Sequence, residues 1–147
     1  MNVFVMHGPN LNLLGEREPE IYGTMTLAEI DRRIRRRAAE LGMSVRSYQS
    51  NHEGRLVDML QRRRRWLDGL IINPAAFTYS SYALLDAIAA LGKPAIEVHL
   101  SDITKREPWR ANSIIEPACA GQIFGLGVDS YLQALERLAA LSLAPQR

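Results

Sequence analysis

Apolar residues in this chain gather in five short runs, each followed by a polar turn. The runs are "NVFVMH" (2–7), "SVRSYQ" (44–49), "GLIIN" (69–73), "AIEVH" (95–99) and "GQIFG" (121–125). Their length and bounding turns mark them as strands. Between them, apolar positions recur every three or four residues, the period of a helix with one buried stripe. Leu27, Ile30, Ile34, Ala38 and Leu41 form such a stripe. Thr26 and Glu29 have the spacing of a capping box at its start, and Gly42 is placed to end it. A second helix is expected from near Ser50, with Glu53 three residues on, burying Leu56, Val57, Leu60 and Leu67. A third is expected from about Ser80 to Leu91, stopping at Gly92, and a fourth from about Asp129 to Leu143.

Strands and helices that alternate in this way define the α/β class, with a parallel sheet covered on both faces. Right-handed crossovers leave few topologies, and five strands favour the flavodoxin-like order 2-1-3-4-5. The chain has 147 residues, no linker-like stretch and no internal repeat, so one domain over 1–147 is expected. Two connections, 8–25 and 100–120, are long, and long loops in compact domains are often lids or binding loops.

Composition narrows the partners. Hydrophobic residues make up 47% and charged residues 23%, and the net charge of +2 gives no bias toward a polyanion. The runs "RRIRRR" (32–37) and "RRRR" (62–65) resemble nucleic-acid patches only in isolation. Ile34 interrupts the first on the apolar stripe, and neither is interleaved with aromatic residues for base stacking. Glu29, Asp31 and Asp58 each stand four residues before an arginine, a favourable helical spacing. A solvated or subunit-facing surface is expected, not a nucleic-acid site. Cys119, the only cysteine, allows no internal disulfide and no cysteine metal cluster. The N-terminus lacks the flank of a signal peptide, and no apolar run reaches the ~18 residues of a membrane span. A cytoplasmic address with no membrane contact is expected. The third helix, "YALLDAIAALG", is apolar nearly all round, with Asp86 as its only charge. That pattern predicts cover from another subunit, where Asp86 finds a partner.

Ligands of such sheets bind at the carboxyl ends of the strands. Polar groups collect there: His7 to Asn10, Ser50 to His52, Asn73 to Ala76, and His99 to Asp102. Each asparagine alone is equally a turn or cap residue, and His99 alone is equally a structural histidine. Their convergence on one edge carries the argument. "GLGVDS" follows the last strand and has Ser130 in place of a third glycine, so it is not read as a dinucleotide fingerprint. The loop "TKREPWRANS" brings Arg106 and Arg110, which suit a carboxylate-bearing small molecule. "LGEREPEIYG" (14–23) sets Arg17 and Tyr22 five residues apart on a polar loop.

Taken together, "GPNLNLLGEREPEIYG", "IINPAAFTYSS", "IEVHLSD" and "REPWR…S" resemble the type II 3-dehydroquinases over almost the whole chain. The resemblance implies a flavodoxin-like dodecamer built of trimers, with no metal and no organic cofactor. It implies removal of water from 3-dehydroquinate to give 3-dehydroshikimate. Tyr22 matches the base, acting as tyrosinate, with Arg17 as the cation that favours the charged phenol. Asn10 matches the asparagine that stabilises an enolate through a bound water. His99 matches the general acid, oriented by Glu97 two residues earlier. Asn73, Leu100, Ser101 and Arg110 match substrate-binding positions, and Arg106 an arginine of the surroundings. Asp86 matches an acidic residue offered by a neighbouring subunit.

This chain departs from the family pattern at four places. Tyr79 replaces a histidine that contacts substrate hydroxyls. Leu85 stands where an arginine usually precedes the aspartate. Asn112 replaces a histidine before Ser113, and Asp102 a common asparagine. A re-tuned relative that binds a related cyclic hydroxy acid is the alternative reading.

Overall fold

Alternation along the strands sorts the core into two layers. The computed structural model describes residues 1–144. Its strands are β1 (Asn2–His7), β2 (Ser44–Gln49), β3 (Gly69–Asn73), β4 (Ala95–His99) and β5 (Gly121–Phe124). All pair in parallel, in the order 2-1-3-4-5 expected for a flavodoxin-like sheet. Val3 and Val5 of β1, Ile71 of β3 and Ile96 and Val98 of β4 pack on one face with α2 (Leu27–Glu40) and α5 (Asp129–Leu143). Phe4, Met6, Leu70, Ile72 and Ala95 pack on the other with α3 (Glu53–Arg63) and α4 (Tyr82–Leu91). Burying one such aliphatic side chain stabilises the fold by about 1.5–3 kcal/mol, so two full layers are needed to offset chain entropy.

Helix α2 starts as its sequence predicts. The Glu29 backbone N–H donates to Thr26 Oγ1 at 3.3 Å, and Thr26 N–H to Glu29 Oε2 at 3.1 Å. Ile30, Ile34 and Ala38 are buried, while Leu27 and Leu41 are half-buried. Other expectations are corrected. Helix α3 begins at Glu53, because Ser50 Oγ accepts from His52 N–H and closes a turn at the end of β2. Leu67 is buried but lies beyond the end of α3. Helix α4 begins at Tyr82, capped by Ser81, whose Oγ accepts from Leu84 N–H. A 3₁₀ turn, Ala75–Tyr79, occupies the segment before it. The connection 8–25 is not a featureless loop: it holds a 3₁₀ turn at Leu11–Leu13 and the short helix α1 (Pro19–Tyr22).

The ion pairs expected at spacing four do not form among the described residues. Glu29 is engaged at the cap and Asp31 bonds His7, while Arg37 bridges Glu40 and Glu136 of α5, each at 2.8 Å. The arginines of the first run otherwise lie on the exposed side of α2. On α4, Leu84 and Ile88 are buried, whereas Tyr82, Ala83, Asp86, Ala89 and Ala90 are open in this chain. No helix of the described residues is long and apolar enough to cross a membrane.

The exits of β1 and β3 touch. Gly8 N–H donates to Asn73 O at 2.7 Å, and a side-chain carbon on Gly8 would stand 2.4 Å from Pro74 O. Backbone cannot yield as a flexible side chain can. Gly8→Ala is therefore expected to lose about 1–3 kcal/mol in urea denaturation.

Candidate active site

The connection 8–25 folds back over the carboxyl edge of the sheet, anchored by buried Leu11 and Leu14. Asn10 takes a left-handed backbone, φ 69°, and its N–H donates to Asn51 Oδ1 at 2.9 Å. Gln49 Nε2 donates to the same oxygen at 3.1 Å, so the end of β2 braces the start of the loop. Helix α1 begins with Pro19, whose fixed φ suits a first turn, and ends at Gly23, φ 83°. That single turn aims Tyr22 back at Arg17. Arg17 Nη2 donates to Tyr22 Oη at 3.1 Å, and its guanidinium carbon lies 4.3 Å from the ring centre. Arg106 approaches the same ring at 5.2 Å.

Across the cleft, β4 supplies a buried carboxylate and an imidazole. Glu97 and His99 are two residues apart on a strand and so share a face. His99 Nε2 lies 2.6 Å from Glu97 Oε1. Gln122 Nε2 of β5 donates to that oxygen at 3.1 Å, and Ser113 Oγ donates to Glu97 Oε2 at 2.9 Å. A fully buried carboxylate needs such partners to be tolerated. Together they fix the ring of His99, and no described protein group bonds its second nitrogen.

Asn73 ends β3, nearly buried, with Oδ1 accepting from Ala75 N–H at 3.1 Å. The loop after β4 brings the cations. Arg106 Nη1 is 3.4 Å from Ser101 Oγ, and Arg110 Nε donates to Glu107 at 2.6 Å. Tyr79 packs edge-on against Trp109 at 5.1 Å, and Arg110 lies 4.1 Å over the Trp109 ring. Burial raises the Tyr79 phenol above its ordinary range, opposed by Arg110, so Tyr79 stays a hydrogen-bond donor at neutral pH.

Ten of the twelve expected residues therefore line one cleft of about 590 Å³: Asn10, Arg17, Tyr22, Asn73, Tyr79, His99, Leu100, Ser101, Arg106 and Arg110. Glu97 lies behind His99. Asp86 is not brought there; it is exposed on α4 and does not line this cleft. Of the departures, Asp102 caps the turn Ile103–Lys105 through Thr104 N–H at 3.0 Å, Leu85 packs beside the α3/α4 core, and Asn112 is exposed. Sequence reasoning missed Gln122, which faces Glu97 only through the β4–β5 register, and the bonding role of Ser113. Among the described residues, no three His, Cys, Asp or Glu side chains are grouped to hold a metal ion.

Sheet order, strand-end polar groups and a cation-rich cleft define an α/β enzyme of the flavodoxin-like kind. Residues 1–139 match the family model for dehydroquinase class II. A 3-dehydroquinate dehydratase of Pelotomaculum thermopropionicum is 52% identical over 142 residues, 97% of this chain and 99% of that protein. One from Roseiflexus castenholzii is 53% identical over 138 residues, 94% of this chain and 88% of that protein. The crystal structure of type II dehydroquinase from Butyrivibrio crossotus superposes with a TM-score of 0.92 at 41% identity, over 94% of this chain and 97% of that one. The chain belongs to the class II dehydroquinase family.

Cys119 stands outside the cleft. Burial first, then the nearby Glu97 and Glu116 carboxylates, push its thiol up to about 12. The thiolate is the reactive form. Iodoacetamide labelling of folded protein at pH 8 is expected to be at least about 100-fold slower than in urea, followed by mass spectrometry.

Proposed function

We propose that this protein dehydrates 3-dehydroquinate to 3-dehydroshikimate. The observation that carries the reading is the Arg17–Tyr22 contact set across one cleft from a His99 held by Glu97. Family membership and relatives named for that reaction support it. Tyr22, as phenolate stabilised by Arg17, takes a proton from the carbon beside the ketone. The electron pair moves onto the ketone oxygen, giving an enolate, which Asn10 stabilises through a water. His99 then gives its proton to the departing hydroxyl, which leaves as water as the enolate collapses to the conjugated ketone. Arg106 and Arg110 supply the charge to hold the substrate carboxylate. Asn73, Tyr79, Ser101 and the backbone at Leu100 bind its oxygens. No step here calls on a metal or organic cofactor.

The reading carries with it the single domain and cytoplasmic address expected above, and a dodecamer built of trimers. In that assembly Asp86, exposed on this chain's α4, reaches a neighbour's cleft. Sedimentation of the purified protein is expected to give a dodecamer, and Asp86→Ala to lower turnover; a monomer of undiminished activity would contradict both.

The rest is tested by absorbance of the conjugated product. Signal is expected on adding 3-dehydroquinate to wild type. In Tyr22→Phe, turnover should fall by at least about 100-fold while calorimetric binding persists. Tyr79 against Trp109 favours one second reading, a pocket re-tuned for a related cyclic hydroxy acid. Binding without turnover of 3-dehydroquinate in wild type would favour that reading.

A further inference from the structure

A chain of polar groups runs beneath the cleft, and of its members the chemistry above uses only Asn73. His7 and Asn73 end β1 and β3 and are paired in register. Both therefore leave the sheet on the side of Val5 and Ile71, under α2 and α5. Tyr131 of α5 spans them. Its hydroxyl oxygen accepts from Asn73 Nδ2 at 3.1 Å and lies 3.0 Å from His7 Nδ1. His7 Nε2 lies 2.8 Å from Oδ1 of Asp31 on α2. His7 and Tyr131 are fully buried and Asn73 nearly so, while Asp31 sits at the edge with 18% of its side chain open.

The bonds have one consistent direction. Burial raises the Tyr131 phenol above its ordinary range, so it keeps its proton. Its oxygen accepts from Asn73 Nδ2, and among the described residues the one other partner within reach is His7 Nδ1, so the buried proton goes there. That leaves Nε2–H of His7 to donate to the Asp31 carboxylate. At the other end, Asn73 Oδ1 accepts from Ala75 N–H, and Ala75 holds a left-handed φ of 51° in the cleft wall. Turning the Asn73 amide over would set its NH₂ against the Ala75 N–H. It would also require Tyr131 to donate its proton to the amide oxygen. His7 takes that proton and so closes off the alternative.

We propose that Tyr131, His7 and Asp31 form a positioning relay that locks the Asn73 amide in one orientation, reserving its second N–H as a donor to ligand oxygen in the cleft. The ligand named in the test rests on the function proposed above; the relay itself does not. These three are positioning residues, since they act through Asn73.

The test uses the full chain and two readouts. His7→Leu and Tyr131→Phe are expected to raise KM for 3-dehydroquinate about 10-fold, with kcat within about twofold, the pattern of lost ground-state binding. His7→Asn keeps an acceptor near the Nδ1 position, and should bring KM back to within about threefold of wild type. Unchanged KM in folded His7→Leu and Tyr131→Phe, or no rescue by His7→Asn, overturns the relay. The second readout needs no turnover. In protein labelled with ¹⁵N-asparagine, the Asn73 side-chain signal, assigned by its loss in Asn73→Asp, should move in His7→Leu and return in His7→Asn. An inactive wild type whose amide signal moves this way removes the proposed function and keeps the relay; an active one whose signal stays fixed removes the relay. Should the buried variants not fold, Asp31→Ala at the exposed end decides: the amide signal is expected to move, and its constancy overturns the proposal.

Discussion

At Gly8 and Pro74 the backbones of two strand exits press together, and the cleft is arranged around that contact. Gly8 N–H reaches Asn73 O at 2.7 Å, and there is no room for a side-chain carbon between the chains. The contact pins the first residues of one long connection to the turn after β3. From there Asn10 and Ala75 both take left-handed backbone, φ 69° and 51°, conformations that non-glycine residues hold only when their surroundings enforce them. Asn51 enforces the first and Asn73 the second, each by a side-chain oxygen taking a backbone N–H. Of the asparagines proposed to face the ligand, Asn10 thus holds a costly backbone itself, and Asn73 braces the one at Ala75.

A second constraint is charge. Glu97 is fully buried, and its two oxygens are covered by His99, Gln122 and Ser113. Removing one partner from such a carboxylate costs more than adding one gains, because the remaining charge stays desolvated. The three partners come from β4, β5 and the connection between them, so one carboxylate fastens that connection to the sheet. Ser113 also accepts from the N–H groups of Ile115 and Glu116, which starts the next turn. The imidazole and the arginine-bearing loop are therefore not independent pieces.

Strands were legible because short apolar runs and their bounding turns are local signals, and their order because right-handed crossovers leave few arrangements. The start of α2 was legible because a capping box is also local. Ser50 with Glu53 shows the same spacing and misleads, since the end of β2 uses Ser50 to turn the chain toward α3. Asp31 looked like a surface partner for Arg35; a buried imidazole 24 residues back in the sequence holds it instead. The strand-end rule gathered most of the cleft from the sequence. It could not supply Gln122, which depends on β4–β5 register, or Tyr131, which depends on how α5 lies on the sheet. Asp86 shows a different limit: one chain alone leaves it in the open.

Arg17 and Tyr22 meet within a segment of six residues, bounded by the positive-φ Gly15 and Gly23. Their contact is written locally and needs little from the rest of the molecule. His99 is the opposite case: its setting requires β4, β5 and a loop to arrive together, and so carries a larger loop-closure entropy. The two halves of the proposed chemistry therefore differ in robustness. Damage to the far edge of the sheet would unseat the imidazole while the phenol and its guanidinium remained paired. Loss of function by distant lesions should in that sense be one-sided, eroding the imidazole's setting first.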